Sequence, residues 1–253
     1  MSLKSDFHNH SCLSPCGSLE LSPRVLADIA ADRGIKVLAL TDHNSSLNCP
    51  AFAKVCPSRG ILPIFGMEAT TREEIHVLCL FTSLEASLEF SKYAYSLLMP
   101  FINVPEKAGD QVYVDEEDNI EGEVKHYLVN PLELGVDEIG ARVIEYGGIV
   151  IPAHVDRLYF SMISQLGVIV NGPWTALECL HIPPVFQMQA TESRLVDTLG
   201  YPLITSSDAH HKELVGCWPF DLDTSIEELA PNGLSGEADM DVLKRALAKR
   251  PIK

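Results

Sequence analysis

The amino-acid sequence predicts an α/β fold made of repeated strand–helix units, arranged either as a barrel or as an open parallel sheet. Short apolar runs alternate with segments of helical periodicity along most of the chain. A length of 253 residues is typical of one such domain. Hydrophobic residues make up 46% and charged residues 21% of the chain, which is the usage of an ordinary globular protein and excludes a disordered or fibrous one.

The predicted strands are short apolar runs with polar or turn-forming residues on either side. The first lies near the amino terminus and leads into the segment Asp6-Phe-His-Asn-His10. The others are residues 36–40, 61–65, 76–81, 148–152, 176–182 and 201–205. His76 begins its run instead of ending it, so we expect its strand either to run in the opposite direction or to be short.

The helix between the first two strands has clear signals at both ends. Ser22 precedes Pro23, which is the pattern of an N-cap followed by the first helical residue, and Arg33-Gly34 ends the apolar stripe. The spacing of apolar residues predicts further helices at residues 84–98, 131–146, 190–199 and 238–250. These helices would connect the strands of a parallel sheet or barrel.

Residues 103–123 break the alternation of strands and helices. Within them, residues 111–115 and 120–123 flank a polar turn, which predicts a hairpin inserted into the series. The sequence leaves open whether this small insertion lies over the site or faces solvent. No internal repeat or long linker is present, so residues 1–253 are expected to form a single domain.

The chain is acidic, with 19 Lys and Arg against 35 Asp and Glu and a formal net charge of -16. Such a charge repels the phosphate backbone of long nucleic acids, so we do not expect the protein to bind them. A phosphorylated substrate remains compatible, because bound divalent metal ions reverse the local field. The expected partner is therefore a small phosphorylated substrate or a nucleotide, and the oligomeric state stays open.

The sequence shows neither a membrane span nor the layout of a signal peptide, so a cytoplasmic protein is expected. The 7 cysteines are odd in number and include no Cys-x-x-Cys pair. We therefore expect reduced thiols and no disulfide scaffold.

Several of the 9 histidines stand directly after a predicted strand. The imidazoles and carboxylates at strand ends are His8, His10, His43, Glu68, His154, Asp208 and His210. The carboxyl ends of parallel strands meet at one face, where α/β proteins build their active sites. His126 and His181 lack this context, and we expect a surface residue and a strand residue, respectively.

This combination of side chains predicts metal binding. His8 and His10 project from the same face of an extended strand, so both can bind one ion. Carboxylates buried beside imidazoles require cations to pair with them. Nitrogen and oxygen donors suit zinc, manganese or iron, and the candidates outnumber the ligands of a single ion. Two or three divalent metal ions are therefore expected.

The motifs resemble those of the PHP family, the polymerase and histidinol phosphatase superfamily of metal-dependent phosphoesterases. The matching segments, in chain order, are Asp6-Phe-His8-Asn-His10-Ser11, Thr41-Asp42-His43-Asn44, Gly66-Met-Glu68, Glu74-Ile-His76-Val-Leu, Pro152-Ala-His154 and Ser207-Asp208-Ala-His210. The resemblance spans nearly the whole chain. It implies a distorted (β/α)7 TIM-like barrel, the PHP fold, which here would carry the small hairpin-containing insertion.

The resemblance also implies which residues hold each ion. The first set would be His8, His10, Glu68 and Asp208, the second Glu68, His76 and His154, and the third His43 and His210. The family adds an Asp to the third set at the place where this sequence has Cys16. The third ion would therefore have a thiolate ligand from Cys16, or its site would be weak or empty.

The activity implied by the resemblance is hydrolysis of a phosphate ester by a metal-activated hydroxide. Glu68 would bridge two ions, and His210 or a metal-bound water would give a proton to the leaving oxygen. Arg157 would bind the phosphate or pair with an acid such as Asp156. Asp42 would orient His43 or a neighbouring ligand. Two alternatives from other classes stay open, namely C–N hydrolysis by an amidohydrolase-like barrel and a non-catalytic metal-binding module.

Overall fold

The computed structural model describes residues 2–189 and 192–249. Its strands are β1 Leu3–Asp6, β2 Val37–Leu40, β3 Leu62–Thr70, β4 His76–Phe81, β5 Val112–Val114, β6 Ile120–Glu123, β7 Ile149–Pro152, β8 Leu177–Glu178, β9 Val185–Gln189, β10 Glu192–Leu195, β11 Leu203–Ile204 and β12 Phe220–Leu222. Its α-helices are α1 Pro23–Asp32, α2 Cys49–Val55, α3 Leu84–Ser96, α4 Pro105–Ala108, α5 Val136–Glu145, α6 Met162–Leu166, α7 Ile226–Leu229 and α8 Met240–Ala248. No described helix combines the length and the apolar character that a membrane span requires.

The strands that carry the site form a curled ring. β1, β2 and β3 are parallel neighbours, and β4 and then β7 continue the same sheet. Beyond β7, the Val155 amide donates a hydrogen bond of 2.8 Å to the Glu178 carbonyl, which brings β8 alongside, and β8 pairs in parallel with β11. A parallel bridge between Asn9 and Ala209 joins the end of β11 to the end of β1. The predicted distorted barrel is thereby confirmed, with β1, β2, β3, β4, β7, β8 and β11 as its strands.

β4 is reversed within this ring. It runs antiparallel to both β3 and β7, and the register pairs Thr70 at the end of β3 with His76 at the start of β4. The start of β4 therefore lies at the same face as the ends of the parallel strands. This explains why His76 precedes its apolar run, and the expected reversal is confirmed.

The inner face of the ring is filled by apolar side chains. Val37, Leu62 and Ile149 come from three different strands and belong to one buried cluster, which also includes Leu243 of α8. The alternate residue Leu38 belongs instead to a second cluster with residues of α1 and α2. Because strands such as β2 are buried on both faces, they appear in the sequence as continuous apolar runs.

The helix signals were accurate where capping residues were present. Ser22 Oγ accepts a hydrogen bond of 3.3 Å from the Val25 amide, and α1 begins at Pro23 as predicted. α3 and α8 lie within their predicted ranges, and residue 250 of the second range is outside the described residues. α5 begins later than residue 131 because the preceding segment is extended, with Leu132 bridged to Leu98.

Two predictions for the region after β7 are wrong. Residues 192–195 form β10, which pairs with β9, so the helix predicted at residues 190–199 is absent from its described part, and residues 190 and 191 lie outside the described residues. The strand predicted at 176–182 is shortened to β8, because the amides of Leu180 and His181 donate to the Asp156 carboxylate and leave the sheet. In both places hydrogen bonding outweighs sequence periodicity.

The insertion predicted at residues 103–123 contains the expected hairpin of β5 and β6, preceded by α4. It packs against the loop that follows His10. The Val112 amide donates to the Cys12 carbonyl, and the Val114 amide donates to Asn48 Oδ1. A Cβ on Gly109 would lie 2.1 Å from the Pro15 carbonyl oxygen, so this contact requires glycine. The insertion therefore supports the loop next to the site.

Candidate metal centre

The carboxylate of Glu68 lies at the centre of a cluster of histidines. Glu68 is in β3 and its side chain is 1% exposed. The distances from its oxygens to the nearest imidazole nitrogens are 3.2 Å for His8, 3.4 Å for His10, 3.1 Å for His43, 2.7 Å for His76 and 3.1 Å for His154. The strand ends that were predicted to meet therefore bring these side chains together around one carboxylate.

Asp208 and His210 approach the same cluster from the end of β11. The His10 amide donates to the Ala209 carbonyl at 2.9 Å, which ties this loop to the strand that carries His8 and His10. Asp208 Oδ1 lies 3.3 Å from His8 Nε2 and 3.2 Å from His10 Nε2. The His210 ring stacks on the His10 ring with 4.2 Å between centroids.

Two residues of the cluster have a backbone conformation that L-amino acids rarely adopt. His154 has φ 31° and Asp208 has φ 46°. A non-glycine residue in this region costs on the order of 1–3 kcal/mol, and such strain is concentrated at functional sites. This conformation places the His154 side chain against Glu68 and the Asp208 side chain against His8 and His10.

Three groups of donor atoms are close enough to hold an ion, with all atoms of each group within 4.8 Å of one another. They are His8, His10, Glu68 and Asp208; His43, Glu68 and His76; and His10, His43 and His210. The first group is identical to the set implied by the resemblance. The second has His43 where His154 was expected, although His154 Nε2 still lies 3.1 Å from Glu68 Oε1.

Cys16 is in none of these three groups of described residues. Its side chain is exposed at the outer edge of the centre. Desolvation by the surrounding loops, together with the negative charge of Glu68, raises the pKa of the thiol to about 12. The geometry therefore gives Cys16 no place in a preformed set of donors.

His10 is held in the protonation state that metal binding requires. Ser14 Oγ donates to Asp42 Oδ1 at 2.7 Å, so its oxygen accepts from His10 Nδ1 at 2.9 Å. Burial, and then the proximity of His210, lower the pKa of His10 to about 4. His10 is therefore neutral, and its Nε2 lone pair is directed toward Glu68 and Asp208.

The carboxylate of Asp42 reaches the centre through Ser14 and Ser11. It accepts hydrogen bonds from the Ser11 amide at 2.7 Å and the Ser11 hydroxyl at 2.6 Å in addition to the Ser14 hydroxyl. The same Ser14 oxygen accepts from the His43 amide at 3.1 Å. Asp42 thus fixes the loop that positions His10 and His43, and it contacts neither imidazole directly.

Glu178 is a site residue that the sequence reasoning missed. Its two carboxylate oxygens lie 3.1 and 3.0 Å from His8 Nδ1, and it accepts a hydrogen bond of 2.8 Å from the His154 amide. Burial alone raises the pKa of Glu178, but the neighbouring His8 outweighs it and lowers the pKa. Glu178 therefore directs His8 Nε2 toward the centre. The available signal was a glutamate within a predicted buried strand.

The electrostatic balance at Glu68 also favours an ionised ligand. Burial raises the pKa of this carboxyl, but the charges of His76, His8 and His43 outweigh burial and hold the pKa well below its usual range. Burial lowers the pKa of His43 well below its usual range. The centre thus combines the ionised carboxylate of Glu68 with the neutral imidazoles of His10 and His43, a combination suited to metal binding.

The donor set fits divalent metal ions because several buried donors lack other partners. His43 Nδ1, both ring nitrogens of His76, His154 Nδ1 and Asp208 Oδ1 are buried and make no hydrogen bond within the described part of the chain. Unsatisfied buried polar atoms are rare and costly in folded proteins. Coordination of cations would satisfy the donors that face Glu68.

Arg157 lies at the edge of the centre. Its Nη1 donates to Asp208 Oδ2 at 2.8 Å and its Nε donates to the Tyr159 carbonyl at 3.2 Å. The expected alternative, pairing with an acid, is therefore found, but the acid is Asp208 and not Asp156, whose carboxylate accepts the amides of Leu180 and His181.

Two histidines lie outside the centre. His126 stacks on Tyr95, with ring centroids 5.2 Å apart, and is half-buried instead of lying free at the surface. His181 is in an exposed bend beyond β8, with a side chain 76% exposed, so the strand position expected for it is wrong. All 7 cysteines are free, as expected.

The family assignment follows from a comparison of the sequence with protein-family models. Residues 6–128 match the model of the PHP domain. This segment is thus identified as PHP-domain sequence. The matched segment includes His8, His10, His43, Glu68 and His76, and the remaining donors of the centre come from the later strands of the same ring. No match was found among curated proteins.

Solved structures show the same fold at low sequence identity. The lesion-specific endonuclease PfuEndoQ from Pyrococcus furiosus is 18% identical with a TM-score of 0.54, over 84% of this chain and 49% of that chain. A candidate metal-dependent phosphoesterase from Bifidobacterium adolescentis is 17% identical with a TM-score of 0.53, over 98% of this chain and 96% of that chain. The present chain thus spans about half the length of the endonuclease.

Proposed function

We propose that this PHP domain is a metal-dependent phosphoesterase that hydrolyses the phosphate ester of a small metabolite or a nucleotide. The observation that carries the proposal is the convergence of His8, His10, His43, His76 and His154 on the buried carboxylate of Glu68. So many imidazoles around one carboxylate exceed the needs of a single ion, and several of their nitrogens have no other partner. A multinuclear centre of zinc, manganese or iron matches this chemistry.

The proposed ligands divide into two strong sets and one weak one. His8, His10, Glu68 and Asp208 would hold the first ion, and Glu68 with His43, His76 and His154 would hold the second. His10 has only one nitrogen free, because its Nδ1 is bonded to Ser14, so it cannot serve two ions. A third ion would then have His210 and would compete with the second ion for His43, whose neutral imidazole has one lone pair. We therefore propose two firmly held ions and a weaker third.

The ions, when bound, supply a nucleophilic water at neutral pH and offset the negative charge of the phosphate. The residues of the chain position the substrate beside the ions and exchange protons with it. His210 donates its Nδ1 proton to the Asp208 carbonyl at 2.9 Å, so its Nε2 is the nitrogen available to the leaving ester oxygen. The His210 side chain is 23% exposed, which allows it to exchange protons with solvent. We assign it the role of general acid in its doubly protonated form, in which Nε2 carries a proton and binds no third ion.

Arg157 is assigned to the substrate phosphate. Its Nη1 is occupied by Asp208, and no hydrogen bond of Nη2 is found within the described part of the chain. The Arg157 side chain is 30% exposed, and its partner Asp208 is a proposed ligand of the first ion. It is thus oriented by one carboxylate and retains N–H groups that can bind a phosphate oxygen.

The substrate is proposed to be small. Endonuclease Q shows that this fold can act on DNA, since one of its structures holds a 27-mer duplex with an abasic lesion. The present chain spans 50% of that protein and carries a net charge of -16, which opposes binding of a long polyanion. A lesion-containing duplex therefore belongs in the test as a competing substrate.

The test is a panel of substrates with the metal-reconstituted protein. The panel comprises an aryl phosphate monoester, an aryl phosphodiester, a nucleoside bisphosphate, histidinol phosphate, an abasic duplex and a peptide-like amide. We expect turnover of at least one small phosphate ester, and we expect it to disappear in His8→Ala but not in His126→Ala, whose imidazole is outside the centre. Cleavage of the amide alone, or no turnover by protein shown to hold its metals, would refute the proposal.

Replacement of Cys16 tests whether its thiolate is a metal ligand. Because Cys16 is exposed and outside the three donor groups, Cys16→Ser is expected to retain the metal that survives dialysis and to keep kcat/KM within about twofold. Metal content and kinetics should be measured beside Cys217→Ser, the matched exposed cysteine. Loss of one full equivalent of firmly held metal in Cys16→Ser alone would show that the thiolate is a ligand.

A further inference from the structure

A small cavity of about 290 Å³ adjoins the metal centre on one side. It is lined by Leu180, His181, Ser206, Ser207, Asp208 and Trp218. Asp208 belongs to both places, because its carboxylate faces His8 and His10 while the residue also forms part of the cavity wall. A substrate whose phosphate lies at the centre would therefore extend its remaining atoms into this cavity or directly past it.

Two walls of the cavity are apolar and open to solvent. Trp218 is 54% exposed and Leu180 is 44% exposed. Large apolar side chains that stay in contact with water beside a polar centre are typical of ligand-binding surfaces. The hydroxyl-bearing residues Ser206 and Ser207 and the imidazole of His181 supply the polar part of the lining. Among the described residues, no Lys or Arg lines the cavity.

The cavity is preformed, because buried carboxylates fix the backbone of both walls. Asp156 accepts the Leu180 amide at 2.7 Å and the His181 amide at 3.2 Å. On the other side, the Trp218 amide donates to Ser207 Oγ at 3.2 Å, and the Ser207 amide donates to Asp6 Oδ1 at 3.0 Å. A ligand entering the cavity would not have to order these segments.

We propose that this cavity binds the organic group of the phosphate ester and selects a planar aromatic ring, which stacks on Trp218. The inference rests on the proposed function for the position of the phosphate. The volume is near the lower end of small-molecule sites, which suits one ring system and excludes a long chain. An exposed indole offers a flat face for stacking, and His181 and the serines can bond to heteroatoms at the ring edge.

The kinetic test compares two phosphate monoesters, 1-naphthyl phosphate and glycerol 2-phosphate, in the metal-reconstituted protein. Trp218→Ala is expected to lower the ratio of kcat/KM for the naphthyl ester to that for the glycerol ester by about tenfold, which is the scale of one stacking contact. Trp218→Phe should restore most of the ratio. Phe101→Ala, which removes an exposed aromatic side chain outside the cavity, should leave it unchanged.

A binding measurement makes the test independent of turnover. Adenosine, which has no phosphate, should quench the tryptophan fluorescence of the wild-type protein, whereas ribose should not. The quenching should be lost in Trp218→Phe, where the buried Trp174 is the remaining tryptophan. Equal quenching in both proteins, or an unchanged ester ratio in Trp218→Ala, would overturn the assignment. Quenching without hydrolysis of any ester would leave the cavity assigned and refute the phosphoesterase.

Discussion

Glu68→Gln is expected to abolish activity and to empty the metal centre. Glu68 is the residue that the imidazoles of both proposed strong sites share, at distances of 2.7 to 3.4 Å. A neutral amide of the same shape neither offsets two divalent ions nor bridges them. Because metal ions contribute several kcal/mol of charge stabilisation to such reactions, kcat/KM should fall by at least about 1,000-fold.

Metal content of the dialysed protein and kcat/KM are the measurements that check this expectation. Glu85→Gln is the matched control, since Glu85 is an exposed carboxylate on α3. Addition of the metal should raise the Tm of the wild-type protein and of the control, and should raise that of Glu68→Gln much less. A Glu68→Gln protein that keeps both equivalents of metal would contradict the bridging role.

Glu178→Gln is expected to weaken metal binding by about 10- to 100-fold without removing a ligand. The carboxylate of Glu178 accepts from His8 Nδ1 at 3.0 Å and also raises the pKa of His8, against the effect of burial. In the variant, the amide can no longer hold His8 in a single tautomer by charge. The Nε2 lone pair is then less well directed toward the first ion.

The measurement is a competitive titration with a chromophoric chelator, beside the exposed-carboxylate variant Glu145→Gln as a control. Saturating metal should restore most of the activity of Glu178→Gln, because the ligands themselves remain. Restoration would distinguish it from Glu68→Gln. An unchanged metal affinity would mean that Glu178 is only a structural partner of the His154 amide.

The sequence predicted the strand ends well because the information there is local. Apolar runs buried on both faces are followed immediately by a polar ligand, and the ring places those ends at one face. Ser22 and Pro23 likewise determine where α1 begins, since capping depends on neighbouring residues. The family resemblance added the number of strands, which periodicity alone did not give.

The failures share a different cause. The helix predicted at residues 190–199 gave way to a hairpin because β9 was available to pair with residues 192–195. Glu178 was overlooked because its partner His8 is 170 residues away in the chain. Arg157 was compared with its neighbour Asp156, whereas its partner Asp208 is 51 residues distant. Periodicity and spacing contain no information on such contacts.

By itself, therefore, the sequence predicted which histidines and carboxylates gather at the candidate metal centre, apart from Cys16, and the order in which strands present them. The tertiary structure alone decided which nitrogen of each imidazole is free. His8, His10 and His210 each have Nδ1 occupied, by Glu178, Ser14 and the Asp208 carbonyl. The free lone pair is on the ring nitrogen opposite the one that donates a hydrogen bond, and for His8 that bond is made only when β8, distant in the chain, joins the ring.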